Sequence, residues 1–444
     1  MGKYAKIQLI PWEVYTGPVF DGQWRAVDYA GIKRPLGDRR WDVLSQCVDI
    51  SARCAFTQMA VERAFEAADA SEEVLKIFIA PEFLYRGGGG AYLHDLINGW
   101  SAACPFSDWH LPLPYGGPWP GLFGSLRALV AEERFKDWLF VFGTAVSAGF
   151  RAHNGMILRV GAGESAGGAP PPAVCFNNAL IQCGGWGPLE AARAPHSYVT
   201  GKHLQSGIDF IEFSLEGCTV NDNGNVEPAN DQSISVLDNM LVEEGSAVMG
   251  FPHIRHLDGS MIKFGVEICL DHAACGGRPD CGRLAYWGER VDIQLVPSCG
   301  MTLRPHSVSL RQHNPDTPDA YAFNCDGLVA LRTAQDGYGT HLQLWAQDTA
   351  GACHTLMEVG NGCDPDDPDH IPVGESVTVT ADWPTDAVLL CDPAEIPGYL
   401  LWASMGEPDP GAYVDPSVLS FQWPAGAGYV RPLPPLDLSP EGGD

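Results

Sequence analysis

The run Phe264-Gly265-Val266-Glu267-Ile268-Cys269-Leu270-Asp271-His272 places a thiol where strand-forming residues give way to small and polar ones. A cysteine at such a corner stands above a sheet edge, and the next backbone N–H can face a substrate oxygen. Taken alone, a cysteine of this kind is more often a small buried hydrophobe. Two further strand-like runs end on ionisable groups. Ile77-Phe78-Ile79-Ala80-Pro81 leads into Glu82, and Tyr198-Val199-Thr200-Gly201 leads into Lys202. A carboxylate can take the thiol proton, and an ammonium can lower the thiol pKa and hold the negative oxygen of a tetrahedral intermediate. Glu82, Lys202 and Cys269 at one sheet edge would therefore make a chemically sensible set around a nucleophilic thiol. Glu267 is a second candidate base, because strand alternation puts it on the face of Cys269. Cys299 also ends a strand, but nothing around it matches.

The elements that must position these groups read as an α/β pattern. A first strand at 5–10, a helix across 40–70 with apolar residues at helical spacing, and a buried strand at 74–80 make a βαβ-like opening. Residues 86–122 form a Gly- and Pro-rich insertion with a helix at 121–136, and Trp100, Trp109 and Trp119 within it point to a bulky or apolar substrate. Trp138–Gly143 is a strand. Met156–Val160 and Ala173–Gln182 read as a hairpin with a long tip. Residues 213–248 form a second polar insertion, and His256–Ser260 is a turn feeding the cysteine strand. Val291–Ser298 is a buried strand, 305–322 is helical in part, and 392–444 is a Pro/Gly-rich tail.

The composition is globular: 444 residues, 45% hydrophobic and 18% charged. With 27 Lys and Arg against 55 Asp and Glu, the formal charge of −28 argues against binding nucleic acid or an anionic membrane by nonspecific electrostatics. The start lacks the features of a signal peptide, and no stretch reaches the roughly 18 apolar residues of a membrane span. The 14 cysteines follow no disulfide framework and read as reduced thiols, so a cytoplasmic protein is expected. Cys269, Cys275 and Cys281 fit no zinc pattern, and neither metal nor cofactor is expected.

In order along the chain, Pro81-Glu82-Phe83, Lys202-His203-Leu204 and Cys269-Leu270-Asp271 resemble the motifs of the carbon–nitrogen hydrolase (nitrilase) superfamily. Phe142-Gly143-Thr144 resembles that family's central glycine strand, Phe176-Asn177-Asn178-Ala179 its Asn-bearing strand, and Asp292 through Pro297-Ser298 the strand after the nucleophile. The resemblance covers roughly residues 4–335. It implies an α-β-β-α four-layer sandwich, with 1–391 as the hydrolase domain interrupted at about 86–122 and 213–248. The tail 392–444 would then be an oligomerisation arm in a homodimer or larger homo-oligomer.

The resemblance further implies hydrolysis of an amide or carbamoyl C–N bond through a cysteine thioester. Glu82 would be the base, Lys202 and the Leu270 N–H the oxyanion donors, and Glu212 a second acid, with Asp209 as competitor. Tyr85, Leu270, His272 and Ser298 are candidate substrate contacts. Leu270-Asp271 stands where true nitrilases tend to have Trp-Glu, which places the chain nearer the amidase branch. His272 and Ala273 stand where many amidases carry a carboxylate-gripping arginine. A nitrilase, an acyltransferase and a noncatalytic binding or assembly protein are the competing readings.

Overall fold

The structure, a computed structural model, describes residues 2–17, 19–20, 26–28, 31–33, 43–86, 91–105, 111–150, 173–186, 196–204, 206, 214–215, 218–219, 244–245, 247–311, 320–328, 342–347, 353–359, 377–378, 420–422 and 429–438. Among these the chain is a mixed α/β protein with two large sheets and few helices.

The strand Lys6–Glu13 is buried from Ile7 onward, and Val74–Ile79 is buried throughout. Such unbroken burial marks strands covered on both faces. The two run parallel, Ile7 opposite Leu75 and Pro11 opposite Ile79, and the helix Val43–Ala67 joins them. Trp138–Phe150 continues the sheet parallel to Val74–Ile79, followed by antiparallel Ala173–Cys183 and Ser197–Gly201. These belong to an eleven-stranded sheet. The second sheet has seven strands, in the order Gly2–Tyr4, Val248–His256, Met261–Val266, Ile293–Ser298, Tyr321–Asp326, Leu342–Gln347, Cys353–Val359.

Strand alternation divides the apolar residues between two cores. Ile77, Ile79, Leu139 and Val141 of the larger sheet share one core with Phe251, Ile262, Phe264 and Leu295 of the smaller. Phe78, Phe140 and Phe142 point the other way, onto Cys47, Ile50, Phe56 and Val61 of the long helix and Leu122 and Leu126 of the helix Gly121–Leu129. Burial of each such side chain contributes about 1.5–3 kcal/mol. The outer face of the smaller sheet is covered by Leu284, Leu303 and Val308. No helix among the described residues is long and apolar enough to cross a membrane.

Several sequence expectations shift. Trp138–Phe150 runs past Gly143 instead of ending there and pairs with Ala173–Cys183, which also pairs with Ser197–Gly201; Met156–Val160, the expected hairpin strand, lies outside the described residues. Of the segment 305–322, expected to be helical in part, the described residues 305–311 form a turn and a bridge, 312–319 lie outside the described residues, and Tyr321–Ala322 open the buried strand Tyr321–Asp326, which lies between two neighbouring strands. Trp100 and Trp119 are 5% exposed and lie 5.2 Å apart with their rings tilted by 56° in the helix-side core, so they fill the interior and are not open to a bulky ligand; Trp109 lies outside the described residues. Within the tail, Tyr429–Val430 and Leu436–Asp437 pair antiparallel with Lys6–Glu13 of the same chain. Leu433 and Leu438 enter the core between the sheets, and Arg431 pairs with Glu13.

Gly143 has a φ of 69°, and a Cβ there would sit 2.2 Å from the Pro81 carbonyl oxygen. Gly143→Ala is therefore expected to lower stability by about 2 kcal/mol or more in urea unfolding. An unchanged midpoint would show that the strand can move away from Pro81.

Candidate functional site

Glu82 sits where the larger sheet is interrupted. Ile79 pairs with Val141 and the Ala80 N–H bonds the Val141 carbonyl, but Pro81 has no N–H to continue the ladder. Pairing resumes at Tyr85 opposite Ala145. In the gap Phe83 adopts a φ of 64°, and its N–H donates to Thr144 Oγ1 at 2.9 Å. The Glu82 N–H donates to the Ser298 carbonyl at 3.2 Å, and Thr16 Oγ1 donates to the Glu82 carbonyl. With its main chain gripped at both ends, the carboxyl is fully buried.

Lys202 meets it there. Lys202 Nζ lies 2.9 Å from Glu82 Oε1, with the two side chains 2% and 0% exposed. Asn177 serves both: its Nδ2 donates to Glu82 Oε1 at 2.9 Å, and its carbonyl accepts the Lys202 N–H at 2.8 Å. Lys202 Nζ also reaches Ser206 Oγ at 3.3 Å and stands 5.6 Å from the centre of the Phe83 ring, whose face carries Arg86 at 3.7 Å.

Cys269 opens a short 3-10 turn, Cys269–His272, two residues beyond the end of the strand Met261–Val266, and has a φ of 48°. That left-handed backbone is uncommon for a residue with a side chain. Asp271 binds this turn to the lysine segment. Its carboxylate accepts the His203 N–H at 2.9 Å and the Leu204 N–H at 2.8 Å. Arg283 reinforces the junction, donating to the Gly201 carbonyl at 3.1 Å with its guanidinium 3.9 Å from Asp271. The structure thus pairs Glu82 with Lys202 directly and ties the Cys269 turn to the residues that follow Lys202.

The other expected side chains among the described residues have protein partners of their own. Tyr85 faces the long helix: Thr57 Oγ1 donates to the Arg53 carbonyl, so the Tyr85 hydroxyl donates to Thr57 at 2.8 Å. His272 is fully buried, with both ring nitrogens engaged by protein groups. The Ser298 hydroxyl donates to Asn324 Oδ1 at 2.8 Å. Leu270 is partly buried against the core between the sheets. His203 contributes its main chain to the Asp271 clamp. Glu212 and Asp209 lie outside the described residues. Cys299 is buried, and burial followed by the Asp326 and Glu82 carboxylates pushes its thiol well up, which makes it a poor nucleophile. Among the described residues no group of three or more His, Cys, Asp or Glu side chains is placed to hold a metal ion.

No family model matches the chain, and no curated protein matches it. Among solved structures, it is similar to a CN-hydrolase superfamily protein from Xanthomonas campestris that carries an arsenic adduct in its active site. The identity is 12%, the alignment covers 80% of this chain and 86% of that one, and the TM-score is 0.29. A likeness that slight adds nothing to the geometry above.

One set of supporting residues gave no sequence signal of a site. Gln46, Asp49, Arg53 and Thr57 make a buried polar stripe on the long helix. Arg53 pairs with Asp49 at 2.9 Å and donates to the Arg86 carbonyl at 2.8 Å, while also binding the Leu84 carbonyl. Gln46 accepts the Leu93 N–H at 2.7 Å. The stripe fixes the segment that leaves Glu82. Its helical spacing was the available signal, but polar residues at that spacing ordinarily mark a solvated face.

Burial pushes the Asp271 carboxyl up to about 6, against the pull of the His203 and Leu204 N–H groups and the Arg283 charge. The folded chain then holds this proton more tightly than the unfolded chain does. Its stabilising contribution is complete at low pH and is lost as pH rises through about 6. Asp271→Asn is expected to cost about 1–3 kcal/mol at low pH. Its stability relative to wild type should then recover as pH rises from about 4 to 6, and level off above. Urea unfolding at a series of pH values checks this, and a difference independent of pH would contradict it.

Proposed function

We propose that the protein is a hydrolase of non-peptide carbon–nitrogen bonds, acting on an amide or carbamoyl compound through a thioester on Cys269. The observation that carries this reading is the buried Lys202–Glu82 pair at 2.9 Å, joined through Asp271 to the turn that presents the cysteine. A buried ammonium and carboxylate each carry a desolvation penalty of several kcal/mol. A thiol that must lose a proton, and an intermediate that must carry a negative oxygen, use both groups.

In this reading Glu82 takes the Cys269 proton and the thiolate attacks the carbonyl carbon. Lys202 and the Leu270 N–H receive the negative oxygen, which lowers the barrier because the donors are already oriented. The C–N bond breaks as the departing nitrogen accepts the proton from Glu82, leaving the acyl group on sulfur. Water then gives a proton to Glu82 and its oxygen to the carbonyl carbon, and the thioester opens to the acid and free Cys269. The amide side of the superfamily is favoured because Leu270-Asp271 replaces Trp-Glu, and because Asp271 turns back onto the lysine segment. The two outer α layers and two inner β layers of a nitrilase-like sandwich form part of the same reading, supported by the core shared between the sheets and the helices outside the larger one.

The test is intact-protein mass spectrometry after incubation with amides, carbamoyl compounds and nitriles, with ammonia release measured alongside. Wild type is expected to release ammonia or amine from a member of the first two classes. Cys269→Ala should lose turnover completely while keeping its melting temperature within a few degrees. Glu82→Gln should slow turnover by about 100-fold or more. Turnover by Cys269→Ala at the wild-type rate would overturn the assignment.

A further inference from the structure

Glu267 has no part in that chemistry, yet it is among the most heavily bonded side chains near the cysteine. It is fully buried two residues before Cys269. Its Oε1 accepts the Leu284 N–H at 2.6 Å, and its Oε2 accepts Gln294 Nε2 at 2.7 Å and His272 Nδ1 at 2.6 Å. The other ring nitrogen of His272 accepts the Arg304 N–H at 3.1 Å, which assigns the imidazole proton to Nδ1. Gln294 is itself oriented, because its Oε1 accepts the Ser309 N–H at 2.7 Å and its Nε2 reaches the Ser307 carbonyl at 3.2 Å. Gly282 leaves room for this carboxylate, since a Cβ there would lie 2.8 Å from Glu267 Oε1. Three pieces of chain meet at this carboxylate, the Cys269 turn, the helix Arg283–Trp287 and the strand Ile293–Ser298, and the 304–309 segment joins them through His272 and Gln294.

We propose that Glu267 and His272 are a positioning pair for Cys269. The two residues bracket the cysteine, and the bond between them closes the turn like a strap. A residue with a side chain held at a φ of 48° gains roughly 1–2 kcal/mol by relaxing out of the left-handed region. The strap opposes that relaxation and holds the turn that Asp271 ties to the Lys202 segment. The same bonds remove Glu267 as the base that strand alternation allowed, because its oxygens are committed to three N–H donors. Glu82 is left as the proton acceptor. The inference rests on Cys269 being the nucleophile, so its test reads that point separately.

The experiment uses the full-length chain with 4-nitrophenyl acetate as an activated acyl donor. Nitrophenolate release is followed across pH, and acetylation at Cys269 is located by peptide mass spectrometry. Wild type is expected to acetylate at Cys269; failure there overturns the thioester reading and the pair's role with it. Glu267→Gln and His272→Ala should slow acetylation by about 10- to 100-fold, the penalty of a nucleophile displaced by about an ångström. The midpoint of the pH–rate profile should stay at the wild-type position. His272→Asn keeps a donor where Nδ1 stands and should recover most of the rate, which a general loss of folding would not allow. Acetylation at the wild-type rate in both Glu267→Gln and His272→Ala overturns the pairing. So does a pH midpoint that moves in Glu267→Gln and not in Glu82→Gln, because Glu267 would then be the base. If Glu267→Gln does not fold, the two His272 variants carry the test.

Discussion

Everything at the centre of this molecule depends on keeping a lysine ammonium and a glutamate carboxylate in contact out of water. At 2.9 Å, with side chains 2% and 0% exposed, Lys202 and Glu82 hold together only if the structure supplies what water would have supplied. Asn177 supplies a hydrogen bond to the carboxylate and another to the lysine main chain. Thr16 and Ser298 fix the Glu82 backbone from two different segments. The interrupted ladder around Pro81, the left-handed Phe83 and the glycine at 143 then follow as geometric conditions for bringing the carboxyl to that point.

The same logic of backbone capture runs outward. Asp271 takes two N–H groups beside Lys202, Glu267 takes donors from three segments, and Arg53 takes two carbonyls from the segment after Glu82. Asp271 and Arg53 bond mainly to main chain and Glu267 to one main-chain N–H and two side chains, so each buried group fixes the path of the backbone as well as the place of a side chain. A site held this way is rigid in its loops, where flexibility is otherwise the rule.

Much of this was legible in the sequence, for identifiable reasons. The buried strands Val74–Ile79 and Ile293–Ser298 announce themselves as unbroken apolar runs, and Glu82 and Lys202 stand out as charges at strand ends. The contact between those two charges follows from both lying on the larger sheet, which the order of strands does not reveal. The strand Tyr321–Asp326 reads poorly because Asn324 and Asp326 are polar, and both are buried for their hydrogen bonds to the 298–301 segment and Leu328. His272 looked like a loop residue open to a ligand, whereas its ring is consumed by Glu267 and Arg304. Both pairings depend on how the turn and the 304–309 segment fold together, and the hydrophobic pattern carries no trace of them.

The strand Lys6–Glu13 lies inside the larger sheet, yet one of its neighbours comes from far along the chain: Arg431 meets Glu13 across 418 positions of sequence. During synthesis at about 5–20 residues per second, that side of the strand waits tens of seconds for its partner. An unpaired, apolar strand edge is the surface on which chains join one another by mistake. The residues that seal the sheet are therefore made long after the strand they cover, and until they dock the nascent chain is a natural client for a chaperone.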